Sequence, residues 1–257
     1  MRKTIKDLLE LKLRKEKIVA LTAYDFQTAQ IIDEFCDFVL VGDSLGNVFQ
    51  GKETTLSVTL DEIIYHAKAV NLGIKNAHFC VDMPFMSYQS NVDKALENIG
   101  RVMQETHAQS VKIEMNEDLL ILIKKASNIG IPIVAHVGLC PQSYNIYGGY
   151  KKQGKSKSEK DYIYNLAIDS FKNGASLIVT EGIPEILAEK ITKNIEIPTI
   201  GIGAGSKTDG QILVTEDMLG TTPLPRPSFV KSFANLRDTS KKAILEYKKY
   251  VKKNKSS

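Results

Sequence analysis

The sequence contains no tryptophan, only four histidines and only three cysteines among 257 residues. Cys36, Cys80 and Cys140 show no paired C-x-x-C spacing and lie in apolar or strand-like stretches, which predicts buried free thiols and not a disulfide framework. No apolar run approaches the roughly 18 residues of a membrane span, and residues 1–10 alternate charge with leucine, unlike a secretory signal. We therefore expect a cytoplasmic protein that makes no membrane contact.

The length and composition favour one globular domain. The chain is 43% hydrophobic and 25% charged, and its length matches that of an eightfold βα barrel. The net charge of +4 comes from the end of the chain, where residues 241–255 hold seven lysines and one acidic residue. Because basic and aromatic residues do not interleave elsewhere, we predict a charged C-terminal helix or tail (248–257) and no nucleic-acid partner.

Short β-branched apolar runs recur along the chain and alternate with helical periodicity, as parallel strands joined by crossover helices do. An open doubly wound sheet would show the same alternation, but eight strands in 257 residues favour a closed (β/α)8 TIM barrel. The link at 203–210 is too short for a helix, so the last unit is irregular or strand eight is misplaced. The predicted strands are Ile18–Tyr24, Phe38–Gly42, Ala77–Asp82, Val111–Glu114, Ile133–His136, Leu177–Thr180, Thr199–Ile202 and Gln211–Val214.

Helix signals lie between these strands. Thr59 followed by Glu62 predicts a capping box at the start of one helix. The amphipathic segment Ile5–Leu13 precedes the first strand, so residues 1–17 are expected to form a helical cap that closes the bottom of the barrel. Further helices are predicted at Val92–Gln109, Leu119–Asn128, Asp161–Asn173 and Pro184–Thr192.

Chemically capable side chains stand where at least six of the predicted strands end. In a βα barrel all strand ends open onto one face, where active sites are built. These side chains should therefore converge although they are scattered in sequence. They are Tyr24 and Asp25, Asp43 and Ser44, Asp82, Lys112 and Glu114, His136, and Glu181.

Several of these positions, and some elsewhere, also have a structural interpretation. Asp25 has the position of a helix N-cap, and His136 fits either the barrel wall or the site. The other histidines, His66, His78 and His107, are expected to be structural. The segment 201–205 fails as a Rossmann signature, so it predicts close packing or a substrate contact more than a phosphate site. The basic loop 148–155 fits a lid, an anion contact or a plain surface loop.

Asp43 and Asp82 each follow a strand that should be buried, where an unpartnered carboxylate is costly. A shared cation would offset that cost, and a set of oxygen ligands suits Mg²⁺ better than zinc. A 2-oxo acid could chelate such an ion through its carboxylate and keto oxygens. The ion would then polarise the ketone and make the neighbouring C–H acidic. The residues thus predict enolate chemistry on a small 2-oxo acid.

Nine segments in a fixed order form a motif pattern along most of the chain. They are LTAYD, VGDSLGNV, TTLSVTLDEIIYHAKAV, DMPFMSY, VKIE, GIPIVAHVGLCPQS, GGYKKQGK, TEGIP and IGIGAG followed by TDGQIL. In these segments the chain closely resembles the ketopantoate hydroxymethyltransferase family. The resemblance implies a barrel of the phosphoenolpyruvate/pyruvate type. It also implies transfer of a hydroxymethyl group from 5,10-methylenetetrahydrofolate to 3-methyl-2-oxobutanoate, and a homo-oligomer, a decamer of stacked rings.

The same resemblance implies roles for individual residues. Asp43 and Asp82 correspond to the Mg²⁺ ligands, and Glu114 lies in or near the metal shell. Glu181 corresponds to the catalytic base. The substrate contacts are Asp43, Ser44, Asp82, Lys112 and His136.

Three positions depart from the family pattern, namely Ser206, Thr208 and Glu216. These departures weaken the expectation of family-like folate or subunit contacts more than they weaken the expected reaction. One rival function is a metal-dependent 2-oxo acid lyase or mutase on the same barrel, which needs no folate. Another is a non-enzymatic protein that binds RNA or a membrane through its basic tail.

Overall fold

A computed structural model describes residues 1–223 and 226–253. Eight parallel strands form a closed barrel in the order β1 to β8. The strands are β1 (Ile18–Thr22), β2 (Phe38–Val41), β3 (His78–Asp82), β4 (Ser110–Glu114), β5 (Ile133–Gly138), β6 (Leu177–Glu181), β7 (Thr199–Ile202) and β8 (Gly210–Leu213). All eight predicted strands are confirmed, with ends that shift by at most two residues.

Most of the helices lie in the links between strands. They are α1 (Ile5–Leu13), α2 (Phe26–Asp33), α3 (Leu45–Val48), α4 (Leu60–Gly73), α5 (Val92–Thr106), α6 (Leu120–Asn128), α7 (Tyr144–Tyr147), α8 (Lys157–Lys172), α9 (Glu185–Asn194), α10 (Thr215–Leu219) and α11 (Leu236–Lys253). None of those in the described ranges is long and apolar enough to span a membrane.

Local sequence explains where these helices begin and end. The capping box predicted from Thr59 and Glu62 is present at the start of α4. The predicted start of α8 at Asp161 is wrong, because the Ser156 hydroxyl accepts a hydrogen bond from the Glu159 N–H and starts the helix earlier. The predicted end of α5 is also too late, since His107 adopts a left-handed conformation and stops the helix.

The inside of the barrel is packed with apolar side chains, and α1 closes its amino end. Leu8 and Leu11 of α1 belong to the same buried cluster as Ile18, Phe38 and Val134 from the strands. A second and larger cluster lies between the strands and the outer helices. The predicted helix before β1 is therefore confirmed, and the chemistry is left to the opposite, carboxyl end of the strands.

The last βα unit is irregular, as its short link predicts. The segment between β7 and β8 contains no helix, and β8 pairs with β7 through only two residues, Gly210 and Gln211. The N–H of Ile18 donates to the carbonyl of Asp209 at 3.0 Å, which ties β1 to the residue before β8. Strand eight was placed correctly to within one residue, and the barrel closes without a seventh crossover helix.

Contacts within the chain define two compact units, Met1–Ile212 and a second that begins at Leu213. In the second unit, Gly220 caps the C-terminus of α10. Its φ of +74° is a left-handed conformation that glycine adopts easily. α11 has no buried residue and carries the lysines up to Lys253, so the predicted charged C-terminal helix is confirmed. The remainder of the predicted tail, 254–257, lies outside the described residues.

Candidate active site

Two aspartates lie side by side at the carboxyl ends of β2 and β3. Asp43 and Asp82 are 4% and 2% exposed. The backbone N–H of Asp43 donates a hydrogen bond to Asp82 Oδ2 at 3.0 Å. Gly42 keeps this corner tight, because a Cβ there would lie 2.8 Å from the Ser44 hydroxyl oxygen. The predicted pair of buried carboxylates is thus brought together by the turn after β2.

Lys112 of β4 supplies an ammonium group to this pair. It lies directly beside Asp82 in the strand register, and its Nζ is 3.0 Å from Asp82 Oδ1. Burial by itself lowers the pKa of Lys112, but the neighbouring carboxylates of Asp82, Asp43 and Glu114 raise that pKa above its ordinary value. Lys112 therefore stays charged although it is buried.

Glu114 and His136 continue the cluster along β4 and β5. Glu114 lies two residues after Lys112, on the same face of the strand, and beside His136 in the register. His136 Nδ1 is 3.4 Å from Lys112 Nζ. Burial, followed by the charge of Lys112, lowers the pKa of His136. The imidazole is consequently neutral at pH 7. Because an ammonium group can only donate, Nδ1 accepts and the proton is on Nε2.

Glu181 at the end of β6 faces that nitrogen. Its Oε2 is 3.2 Å from His136 Nε2. Its side chain is 18% exposed, against 3% for Asp82 and 6% for Glu114. The adjoining Gly138 has φ +102°, and a Cβ there would lie 2.3 Å from the Glu181 carbonyl oxygen. The backbone of Glu181 therefore packs closely against Gly138 of β5. Its carboxylate is more accessible to solvent than those of Asp82 and Glu114.

The cluster holds more acidic than basic side chains. Burial raises the pKa of Asp43 and Glu114, and it raises that of Asp82 to about 7. In the described part of the chain, Lys112 supplies the one ammonium group of the cluster, which contacts Asp82 and attracts Asp43 and Glu114. Three buried carboxylates around one ammonium form an oxygen-rich set in which a divalent cation would offset the remaining charge. The donor set therefore fits Mg²⁺.

Protein side chains alone do not complete a metal site here. Within residues 1–223 and 226–253, no group of three or more His, Cys, Asp or Glu side chains has the arrangement of a full ligand set. Mg²⁺ commonly takes only one or two protein carboxylates and keeps waters and substrate oxygens as its other ligands. The arrangement is thus one in which a bound substrate would share the ion.

The residues after β1 divide into a helix cap and a contact with the site. Asp25 accepts hydrogen bonds from the N–H of Thr28 at 2.9 Å and from its hydroxyl at 2.7 Å, so the predicted N-cap of α2 is confirmed. The hydroxyl of Tyr24 lies 2.8 Å from that of Ser44, next to Asp43. Ser44 is therefore placed at the edge of the carboxylate pair.

Gln142 is a site residue that the chemical interpretation of the sequence missed. It follows β5 and is 8% exposed. Its Nε2 donates to Asp43 Oδ2 at 2.9 Å, and its backbone N–H donates to the Glu114 carboxylate at 3.0 Å. Gln142 lies inside the motif GLCPQS, but a neutral amide gives no signal of acid–base or metal chemistry. Its contacts depend on loops that are distant in sequence.

A cavity of about 530 Å³ lies beside Gln142. It is partly open, and Glu114 and Gln142 form part of its wall. Its remaining lining combines aromatic side chains with amides, among them Phe85, Tyr88, Gln89, Asn116, Tyr147 and Tyr162. A mixed lining of this kind suits an organic molecule larger than a 2-oxo acid.

The histidines and cysteines outside the cluster are structural. His66 Nδ1 lies 2.7 Å from the Tyr24 carbonyl oxygen, and His78 Nε2 lies 2.8 Å from the Ser110 hydroxyl oxygen. His107 ends α5. All three cysteines are buried free thiols, as predicted.

The glycine-rich segment after β7 is closely packed. A Cβ at Gly205 would lie 2.4 Å from Glu185, and the Glu185 carboxylate accepts hydrogen bonds from the Ser206 N–H and hydroxyl. This confirms the close-packing interpretation. The hydroxyl of Thr208 donates to the Gly210 carbonyl at 2.7 Å. These two departures from the family pattern thus have local partners.

The basic loop 148–155 is attached to the carboxyl end of the barrel. The Tyr150 hydroxyl donates to Asn47 Oδ1 at 3.3 Å, and the Gln153 N–H donates to the Gly182 carbonyl at 2.9 Å. Both contacts place the loop beside the turns after β2 and β6. Its action as a lid or an anion contact stays a prediction.

Known proteins match this chain along nearly its whole length. A family model described as ketopantoate hydroxymethyltransferase matches residues 2–256. A protein of Trichodesmium erythraeum (strain IMS101) named 3-methyl-2-oxobutanoate hydroxymethyltransferase is 47% identical over 254 residues, which cover 98% of this chain and 96% of that protein. A protein of the same name from Enterococcus faecalis (strain ATCC 700802 / V583) is 48% identical over 253 residues, covering 98% and 92%.

Solved structures support the barrel fold. The phosphoenolpyruvate phosphomutase of Streptomyces platensis subsp. rosaceus matches with a TM-score of 0.64 and 10% identity, over 98% of this chain and 88% of that one. A 2,3-dimethylmalate lyase, described as a member of the PEP mutase/isocitrate lyase superfamily, matches with a TM-score of 0.56 and 13% identity, over 82% and 81%. At such identities the likeness shows the fold alone, which is the predicted closed βα barrel.

Proposed function

Because the chain belongs to the ketopantoate hydroxymethyltransferase family, we propose that its buried carboxylate cluster is where it transfers a hydroxymethyl group to 3-methyl-2-oxobutanoate. The product is 2-dehydropantoate, in pantothenate biosynthesis. Identity near 47% over almost the whole chain supports the reaction. The observation that carries the location is the accessible Glu181 carboxylate, which faces a neutral His136 within the same cluster as a buried Lys112 ammonium.

Glu181 is the proposed base. It removes the C3 proton of the keto acid. The electron pair of that C–H bond becomes the C2–C3 double bond, and the π pair of the ketone moves onto its oxygen to give an enolate. The ammonium of Lys112 stabilises the developing negative charge, and Ser44 contacts the substrate. His136, whose Nε2 lies 3.2 Å from Glu181 Oε2, is proposed to orient that carboxylate. The Glu181 side chain stays 18% exposed, so a bound keto acid could come within hydrogen-bond reach of it.

Asp43 and Asp82 are the proposed Mg²⁺ ligands, with Glu114 in or near the metal shell. The ion, when bound, supplies Lewis-acid polarisation of the substrate ketone. What supports this assignment is the burial of the three carboxylates around a single ammonium. Asp43, Asp82 and His136 would also contact the substrate at the same place.

The enolate carbon then bonds to the methylene carbon of a one-carbon unit, for which 5,10-methylenetetrahydrofolate is the proposed donor. Both C–N bonds of that methylene group break and water supplies the hydroxyl group. Tetrahydrofolate leaves with one proton from the water and the proton taken from C3. The cavity beside Gln142 lies next to the cluster and is large enough for part of such a donor.

We further propose that residues 1–257 act as one barrel domain, with a cap at 1–17 and a basic tail at 248–257. A cytoplasmic location and a homo-oligomer, a decamer, remain predictions.

The rival proposal is a metal-dependent 2-oxo acid lyase or mutase, which would share the enolate and need no folate. Proton NMR in heavy water separates the two. We expect the C3 proton of 3-methyl-2-oxobutanoate to exchange with Mg²⁺ present, to stop exchanging with chelator, and to give 2-dehydropantoate only after the folate is added. Exchange without a folate-dependent product would favour the rival. A complete lack of exchange would reject the proposed site.

A further inference from the structure

Gln142 uses every hydrogen-bonding position of its side-chain amide. Its Nε2 donates to Asp43 Oδ2 at 2.9 Å and to the Met83 carbonyl oxygen at 3.0 Å. Its Oε1 accepts from the Tyr88 hydroxyl at 2.8 Å and from Gln89 Nε2 at 2.8 Å. Two acceptors on one side and two donors on the other leave one orientation for the amide. A buried amide with all four positions engaged is a rigid element.

The same residue also binds a second carboxylate through its backbone. Its N–H, at the start of the short 3₁₀ helix Pro141–Ser143, lies 3.0 Å and 3.3 Å from the two Glu114 carboxylate oxygens. The Tyr88 hydroxyl reinforces this link, because it accepts the Glu114 N–H at 3.0 Å while it donates to Gln142. One residue after β5 therefore connects the loops that follow β2, β3 and β4.

The hydrogen bond from Gln142 makes the two carboxylate oxygens of Asp43 different from each other. Oδ2 is engaged by the Gln142 amide, whereas Oδ1 accepts no hydrogen bond from any residue in the described ranges. A carboxylate held in this way presents one defined oxygen to a cation, and the neutral amide adds no competing charge. One residue likewise links Asp43 to Glu114, because Gln142 binds Asp43 through its side-chain amide and Glu114 through its backbone N–H.

We propose that Gln142 is a positioning residue for the divalent cation. It aims Asp43 Oδ1 and the Glu114 carboxylate at one point and has no contact with the reacting carbon atoms. This inference rests on the proposed function, since it assumes that Asp43 and Glu114 serve a metal ion. An outer-shell partner of this kind typically contributes about 10- to 100-fold to metal affinity.

The test is the affinity of the folded enzyme for Mn²⁺, followed by electron paramagnetic resonance of the free ion in the absence of substrate. Gln142→Met replaces the amide by an apolar side chain of similar length and keeps the backbone N–H that faces Glu114. We expect the Mn²⁺ dissociation constant to rise by about tenfold or more. Steady-state rates should show the same variant needing more Mn²⁺, with a smaller change in kcat at saturating metal.

The matched control is Gln109→Met. Gln109 also holds the backbone through its amide, donating to the Lys3 carbonyl at 3.0 Å and accepting from the Phe79 N–H at 3.1 Å, but at the other end of the barrel. A merely structural glutamine should lower thermal stability without a change in Mn²⁺ affinity. Gln109→Met should therefore keep the dissociation constant of the unmodified enzyme.

Each outcome decides the matter. An unchanged Mn²⁺ affinity in folded Gln142→Met would overturn the positioning role while leaving the proposed function intact. Failure of the unmodified enzyme to bind Mn²⁺ would reject the metal chemistry and the inference with it. If Gln142→Met does not fold, Tyr88→Phe decides, because it removes only the hydroxyl that holds Gln142 and Glu114. A several-fold weaker Mn²⁺ affinity would then support the role, and an unchanged one would contradict it.

Discussion

The two ends of the barrel both bury charged side chains, but they treat them differently. At the amino end, Asp33 is 5% exposed and accepts hydrogen bonds from the backbone N–H groups of Lys75, Asn76 and Ala77. At the carboxyl end, Asp82 is 2% exposed, receives one backbone N–H, and shares one ammonium with two other carboxylates. The two aspartates are buried to a similar extent, but Asp33 has more hydrogen-bond donors around its carboxylate than Asp82 has.

The shortage of partners at the carboxyl end shows in the pKa values of its carboxylates, and the amino end shows a fuller set of partners. The pKa of Asp82 is raised by burial to about 7, and that of Glu114 is raised as well. At the amino end, Asp209 accepts from the Lys12 ammonium, the Thr199 N–H and the Thr199 hydroxyl, each at 2.9 Å. A buried charge that the fold fully satisfies stabilises the fold, whereas one left short of partners is available to a ligand.

The largest expected effect comes from removing the proposed base. Glu181→Gln keeps the shape of the side chain and removes its ability to take a proton. We expect the rate of C3 proton exchange to fall by about 10²- to 10⁴-fold, with the melting temperature nearly unchanged. The exchange is followed by proton NMR in heavy water. A variant that exchanges at the original rate would show that another group is the base.

The same removal of charge at the amino end should affect stability and not activity. Asp33→Ala leaves three backbone N–H groups without their acceptor, and that of Ala77 is buried, so the free energy of unfolding should fall by about 2 kcal/mol. Urea denaturation measures this fall, and the rate per folded molecule should not change. A loss of activity larger than the loss of folded protein would contradict the assignment of this end to structure.

The pH dependence of stability should come from the carboxyl end. The pKa of Asp82 is raised from 3.8 to about 7 in the folded chain. Between those values the folded state binds a proton that the unfolded state has released, so the free energy of unfolding falls as pH rises. Across pH 5 to 7 we expect a fall of roughly 2 kcal/mol without metal.

Urea denaturation at several pH values, with chelator present, measures that slope. Asp82→Asn should flatten it, and added Mg²⁺ should flatten it in the original enzyme because the cation favours the ionised carboxylates. A slope that is equally steep in Asp82→Asn would show that other groups cause it.

The smallest expected effect concerns Asp25, an acidic residue that lies at the carboxyl end of the barrel but stabilises a helix. Asp25 caps α2 through the Thr28 N–H and hydroxyl. Asp25→Ala should lower the free energy of unfolding by about 1 kcal/mol, while Asp25→Asn should lower it less, and neither should change the exchange rate. A drop in exchange would place Asp25 in the site and blur the distinction between the two classes.

The sequence predicted the barrel well because each strand is a short apolar run bounded by turn residues, and that pattern is local. It also placed the carboxylates, Lys112 and His136 at one face, since strand ends in a barrel must meet. The start of α8 was wrong because a Ser156 cap outweighed periodicity that begins only at Asp161. Capping depends on one hydrogen bond, which periodicity does not record.

The role of Gln142 could not be predicted in the same way. A glutamine has no charge to be offset by a partner, so nothing in the chain signals that it must find one. Its partners Asp43 and Tyr88 are separated from it by 99 and 54 positions. Such a bridge becomes visible only when the loops are placed in three dimensions.

The order of the strands along the chain has a consequence for when the site forms during synthesis. The cluster draws on every strand from β2 to β6, and the barrel closes only when Ile18 meets Asp209 next to β8. A ribosome that has translated the base at Glu181 has therefore not yet made a working site, because the closing edge is still to be synthesised. Domains of this kind fold as units. A chain truncated after β6 would contain every proposed catalytic residue and have no activity.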